Sequence, residues 1–344
     1  MLNWRRAPAL VSAAVLLATG TLYAQSADQP KASAEERKEA QAVETLLNSG
    51  RAPANDLSLA WLGSDALRSQ NNKAYVPFTV TVDPAAVSTG RVTVYWRVTS
   101  ADAPAVPPPP PPRGKRDKNA AQADAVPEYL SIVPLEPGQT GPMRISRAIS
   151  VSPGTYELAV VVRETAPSGK KLDRPARTGM VRQTIEVPDF WNGELTTSSV
   201  IVGSRIDPLP APLTPAQLFE RPYALGNIEV VPAGTSRFTK RDELSVFMMI
   251  YNAKVDASNA PDVMVEFNFF NVANGSEKYF NRTNPQALNA QTVSGLDPAT
   301  GLPNGQTVPL GAFPEGDYRM EIKVTDKLAG KAITRDVKFS VAGS

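Results

Sequence analysis

The sequence predicts an all-β protein made mainly of two tandem antiparallel β-sandwich modules. Three observations predict it. Apolar and polar residues alternate at period two through many short runs bounded by Gly, Pro, Asn and Asp, which is the pattern of half-buried antiparallel strands. The order of strands and turns in the first half returns in the second. At 344 residues the chain is long enough for two domains that each bury a core of their own.

The elements follow in chain order. Arg5 and Arg6 precede an almost uncharged apolar run, Ala7 to Tyr23, so residues 1–24 read as an export signal with a cleavage point after Ala24. Left uncleaved, the same run would be a membrane anchor, and it is the only membrane contact expected. Residues 25–54 read as a polar linker with a short helix. Ser33-Ala-Glu-Glu36 has the spacing of a capping box, and Ala40, Val43, Leu46 and Leu47 share one stripe. Docking of that stripe within the chain or on a partner are both open.

Residues 55–190 form the first expected sandwich. Val76, Phe78, Val80 and Val82 point one way and Tyr75, Thr79 and Thr81 the other, and Val92, Val94, Trp96 and Val98 repeat the pattern. Residues 103–126 interrupt it with six consecutive prolines, Pro107 to Pro112, and the run Arg113-Gly-Lys-Arg-Asp-Lys118. Such a segment cannot join a ladder and has little to bury, so it reads as a disordered insert, either a spacer or a ligand for a proline-recognising groove. Residues 191–234 read as a proline-rich connector that includes a strand, Leu195 to Ile206, and a helical turn opened by Thr214 and Pro215. Residues 235–344 form the second sandwich, where Leu244, Val246, Met248 and Ile250, then Val263, Val265, Phe267 and Phe269, restore period two.

The repeat is most visible late in each module. Pro153-Gly-Thr-Tyr156 and Pro314-Glu-Gly-Asp-Tyr318 are tight turns feeding strands, and upstream Arg91 to Val98 matches Asp262 to Phe269 by pattern. A Gly-x-Tyr entering a late strand resembles the tyrosine corner of immunoglobulin-like sandwiches, which assigns that structural role to Tyr156 and Tyr318. About seven strands per copy agree with immunoglobulin-like modules. The stretches Val187-Pro-Asp-Phe190, Gly193 to Ile201, Phe313 to Tyr318 and Thr334-Arg-Asp-Val337 also resemble the β-rich C-terminal portions of secreted acidobacterial proteins of uncharacterised activity. Some of those carry von Willebrand factor A-type or GWxTD domains. The resemblance covers roughly Val151 to Val341; it implies export and fold, and transfers no catalytic residue.

The composition narrows the chemistry. The chain has no Cys and no His, which excludes disulfides, thiol nucleophiles, the Ser-His-Asp triad and histidine-ligated zinc or iron. With 36 basic and 34 acidic residues, the formal charge of +2 provides no field for nucleic acid, and no nucleic-acid module is visible. No cofactor or metal motif is present. Asp256, Asp262 and Glu266 could in principle serve a carboxylate-dependent hydrolase, but Asp256 and Asp262 flank a turn-like segment where Asp is expected for local hydrogen bonding. Aromatic and apolar side chains are the stronger handle: Trp61, Tyr95, Trp191, Phe247, Met249 and Tyr251 are the candidate interaction surface, the face of Phe247, Met249 and Tyr251 being either covered by the proline-rich connector or the other module or left open for a partner. The expected function is an exported, non-enzymatic binding or scaffolding protein of the periplasm or cell surface. It would engage another envelope or extracellular protein through loops, edge strands or an apolar sheet face. Polysaccharide binding through exposed aromatics is the alternative.

Overall fold

The computed structural model describes residues 34–48, 54–101, 128–135, 141–167 and 169–343. The expected signal segment 1–24 and insert 103–126 lie outside them. The chain divides into two compact units between Asp189 and Phe190.

In the first unit, helix α1 (Ala34–Asn48) precedes eight strands: β1 (Ala60–Ser64), β2 (Leu67–Arg68), β3 (Ala74–Val82), β4 (Arg91–Ser100), β5 (Glu128–Pro134), β6 (Met143–Val151), β7 (Gly154–Glu164) and β8 (Thr178–Val187). One sheet has β3 between β6 and the consecutive short strands β1 and β2; the other runs β5-β4-β7-β8, and every pairing is antiparallel. The alternation read from sequence sets the core: Phe78, Val80, Val92, Val94, Trp96, Leu158, Val160 and Val162 are fully buried. An aromatic chain crosses it. Trp61 stacks on Phe78 at 5.7 Å, Phe78 meets Trp96 edge to face at 6.0 Å, and Trp96 stacks on Tyr129 at 5.4 Å.

Helix α1 belongs to this unit and is no free linker. Val43 and Leu47 pack on Tyr95, Ala159 and Val161, on the outer face of the β5-β4-β7-β8 sheet. Val43, Leu46 and Leu47 of the expected stripe make the contact, and the boundary at residue 55 is corrected because the helix packs as part of this unit.

The second unit contains β9 (Thr196–Thr197), β10 (Ile201–Pro208), α2 (Pro215–Glu220), β11 (Ala224–Leu225), β12 (Ile228–Pro232), β13 (Arg237–Thr239), β14 (Glu243–Tyr251), β15 (Asp262–Ala273), β16 (Ser276–Arg282), β17 (Gln286–Asn289), β18 (Leu302–Pro309), β19 (Gly316–Asp326) and β20 (Lys331–Ala342). One sheet runs β11-β12-β10-β14-β18 with β9 also on β14; the other runs β13-β20-β19-β15-β16 with β17 also on β15. The connector expected at 191–234 is therefore corrected to part of this sheet: the strand expected over Leu195 to Ile206 is present as β9 and β10, and β11 and β12 follow it. Its prolines mislead because they mark ends rather than interruptions. Pro208 and Pro232 close strands, and Pro215 sits in the first turn of α2, where Thr214 caps the helix and no N–H is missed.

The two sandwiches share one strand order. β6-β3-β1 faces β5-β4-β7-β8, as β18-β14-β10 faces β16-β15-β19-β20. Strands β7 and β19 are each 11 residues long, each begins at a glycine with φ near +147° (Gly154) or +148° (Gly316), and each ends at a buried carboxylate, Glu164 or Asp326. That φ is a conformation residues with a Cβ avoid, which explains why both turns need Gly. Both carboxylates grip the loop joining the two strands ahead: Glu164 accepts from the Ser88 N–H at 2.8 Å, and Asp326 from the Lys254 N–H at 2.8 Å.

Candidate functional site

Four of the six residues expected to form the interaction surface are buried. Phe247 (3% exposed), Met249 and Tyr251 (1%) lie on β14, and Tyr95 lies on β4. For β14 the cover comes from the stretch read as a connector. Ile201 of β10 pairs in register with Phe247, Ser198 exchanges hydrogen bonds with the Met249 backbone, and the Phe190 ring lies 5.2 Å from Tyr251. Gly301 completes the enclosure, since a Cβ there would sit 2.7 Å from the Tyr251 ring. Tyr95 is buried beneath α1. These positions are corrected from interaction surface to packing.

Trp61 is half-buried, with one face on Phe78, and Trp191 is half-buried against Phe190 at 6.0 Å. The Tyr156 hydroxyl donates to the Ser152 carbonyl at 3.0 Å, and the Tyr318 hydroxyl donates to the Pro314 carbonyl at 2.8 Å. Both bonds span four residues. Tyr318 is also walled by Phe280, Phe313 and Phe339, and this burial pushes its phenol pKa up.

The carboxylates weighed for hydrolysis are engaged separately. Asp256 accepts from the Ser258 hydroxyl at 2.6 Å and from the backbone N–H groups of Ser258 and Ala260 at 2.8 and 3.0 Å, which hold its carboxyl below the usual range. Asp262 pairs with Lys327 at 3.1 Å and Glu266 lies 3.8 Å from Lys323. Among the described residues no cluster of three or more Asp, Glu, His or Cys is placed to hold a metal ion, and no helix is long and apolar enough to cross a membrane.

A different surface stands out on the outer face of the β13-β20-β19-β15-β16 sheet. Strand β15 turns Val263, Val265, Phe267 and Phe269 into the core, so the next residue, Phe270, faces out. Its partners in register are Tyr279 on the edge strand β16 and Arg319 on β19. A bulge opposite Phe269 and Phe270 makes this possible. It leaves Phe280 as an additional residue whose ring packs inward on Phe313 at 5.0 Å, while Tyr279 remains outside.

The group is held by charge. The Arg319 guanidinium sits 4.5 Å from the Phe270 ring centroid and binds both Glu277 oxygens, at 2.8 and 2.7 Å. It also reaches Asp336 at 2.6 Å and Glu321 at 3.3 Å. The bonds to Glu277 raise the guanidinium pKa further above its ordinary value against the effect of burial, and in return hold the Glu277 carboxyl low. Phe270 and Tyr279 meet edge to face at 5.9 Å. Tyr279 is 54% exposed and Leu328 36%, the two large apolar side chains left open among the described residues. The arrangement offers an aromatic ring on a rigid support beside an edge strand, with its nearest cation already satisfied; it suits contact rather than acid–base work. The sequence signal was the pair Phe269-Phe270, since two adjacent aromatics in an alternating strand place one on each face.

No family model and no curated protein matches the chain. Among solved structures it is similar to a Salmonella alpha-2-macroglobulin mutant, at 13% identity over 83% of this chain and 16% of that one; the TM-score of 0.21 is too low to carry an argument about fold or function.

Proposed function

We propose that the chain is an exported, non-enzymatic binding or scaffolding protein of the cell envelope, and that it meets another protein through the outer face and edge strand of the second sandwich, centred on Tyr279. Export rests on the basic start and apolar run of residues 1–24. The observation that carries the binding reading is the exposed Tyr279, fixed beside the Phe270–Arg319 stack on β16. A tyrosine in that setting gives large contact area at small conformational cost, and an edge strand can pair with an incoming one.

The test is affinity capture from envelope extracts, run beside a glycan array. Truncating a central tyrosine at an interface costs about 2 kcal/mol, about a thirtyfold loss of affinity. The chain is expected to retain a defined protein, Tyr279→Ala to lose it by that factor, and Leu328→Ala to keep it. Reproducible glycan binding without a protein partner, or capture indifferent to Tyr279→Ala, would overturn the reading.

A further inference from the structure

We propose that α1 is a releasable strap, which leaves the outer face of the first sandwich while the sandwich beneath stays folded, and so uncovers an apolar patch on that face. The patch consists of Tyr95, Ala159 and Val161, all buried, flanked by half-buried Leu130 and Met180.

The sandwich itself does not require this patch. Aligning β7 with β19 from their first glycine to their last carboxylate puts Ala159 over Glu321 and Val161 over Lys323. Val92 and Val263 both pair with that terminal carboxylate, which puts Tyr95 over Glu266. The second sandwich therefore builds the same face from charged residues, and Lys323 there approaches Glu266 across it. Apolar residues at these three positions serve the helix.

Among the described side chains the apolar attachment is local: Val43 is fully buried, Leu47 is 9% exposed and Leu46 is half-buried, and Glu39 adds an ion pair to Arg163. An isolated helix of this length is marginal in water, so α1 depends on its docking, whereas the strands beneath are held by their ladders and by the core on their other side. After the helix, the described chain resumes at residue 54 and is anchored from Asn55 onward. There Asn55 exchanges hydrogen bonds with Leu59, Asp56 bonds to the Thr178 carbonyl at 3.1 Å, and Leu57 is buried. Release of α1 breaks none of these.

The chain has no cysteine, so a single introduced thiol reports opening without background. Val161→Cys places it beneath the strap, and Val160→Cys places it one residue back, toward the sandwich core. The full chain carrying Val161→Cys is expected to react with a thiol reagent at least about 100-fold faster than the chain carrying Val160→Cys, because the first needs local opening and the second global opening. Adding Glu39→Gln, which removes the ion pair alone, raises the Val161→Cys rate and leaves the Val160→Cys rate unchanged. Hydrogen exchange on the unaltered chain reads the same event without substitution: α1 amides exchange well ahead of those of β7. Equal labelling of the two thiols, equal acceleration of both by Glu39→Gln, or α1 protection equal to that of β7 would show the helix to be part of one cooperative core and overturn the proposal.

Discussion

The outer faces of β5-β4-β7-β8 and β16-β15-β19-β20 occupy the same place in two sandwiches of the same strand order, yet one is apolar under a helix and the other is charged and open. Tyr95, Ala159 and Val161 stand where Glu266, Glu321 and Lys323 stand in the other copy. What the copies share is the frame: the glycine at the start of the late strand, the tyrosine bonded four residues back, the inward stripe and the terminal carboxylate holding a loop. What differs is the solvent side, where sandwich geometry imposes little and each copy is matched to what covers it. In the second, the aromatic site lies further along the same face, at Phe270 and Tyr279.

Exchanging residues between the faces is the strongest way to break this comparison. Val161→Lys puts a cation under α1 with Arg163 nearby and no new carboxylate, and is expected to cost about 3 kcal/mol, in the range for a buried unpaired charge. The cost is capped, because the helix can leave and let the lysine reach water. Lys323→Val makes the reverse change on an open face and is expected to stay within about 0.5 kcal/mol. Urea unfolding of both variants checks the pair. A large loss from Lys323→Val would mean that the second face is also covered.

The terminal carboxylates sharpen the shared part. Glu164→Ala takes the acceptor from the Ser88 N–H and hydroxyl and the ion-pair partner from Arg174, and is expected to cost about 2 kcal/mol, measured by urea or thermal unfolding. The pH dependence has a definite sign. Burial pushes the Glu164 carboxyl up, but the hydrogen bonds from Ser88 and Arg174 outweigh it, so the folded-state pKa lies below the ordinary value. A depressed carboxylate stabilises the fold fully above its unfolded pKa, about 4.3, and that stability is lost as pH falls through the folded value. The stability difference between the parent chain and Glu164→Ala should therefore shrink below about pH 4 and be constant from pH 6 to 8. A difference that persists undiminished in acid would show that the carboxylate acts through packing.

The sequence was most legible where period two coincides with the core. Val92 to Val98 and Val263 to Phe269 align in the structure as their pattern aligns, because residues facing the other sheet must be apolar in both copies. It was least legible on outer faces. Period two marks Phe247, Met249 and Tyr251 as a second apolar face but does not choose among the connector, the other module and a partner as its cover, and prolines at the strand ends hid β11 and β12 though not the stretch of β9 and β10. Alternation also places Trp61 and Tyr95 without showing that Phe78 and α1 occupy them. Tyr279 escaped notice because a bulge, which pattern reading does not register, decides that Phe280 turns inward beside it. The carboxylates at Glu164 and Asp326 could have been found by extending the repeat to the ends of its strands.

The smallest test concerns the two tyrosines, whose hydrogen bonds match while their surroundings do not. Tyr318 is buried among Phe280, Phe313 and Phe339, so Tyr318→Phe removes the donor to the Pro314 carbonyl where water has little access, at an expected cost of about 1 kcal/mol. Tyr156 is half-exposed, and water can take its place at the Ser152 carbonyl, so Tyr156→Phe is expected to cost no more than about 0.5 kcal/mol. Denaturant midpoints of the two variants measured at equal m-value give both numbers. A larger loss at Tyr156 than at Tyr318 would place the structural weight of the repeated Gly-x-Tyr turn in the turn geometry itself, rather than in the desolvation of its hydrogen bond.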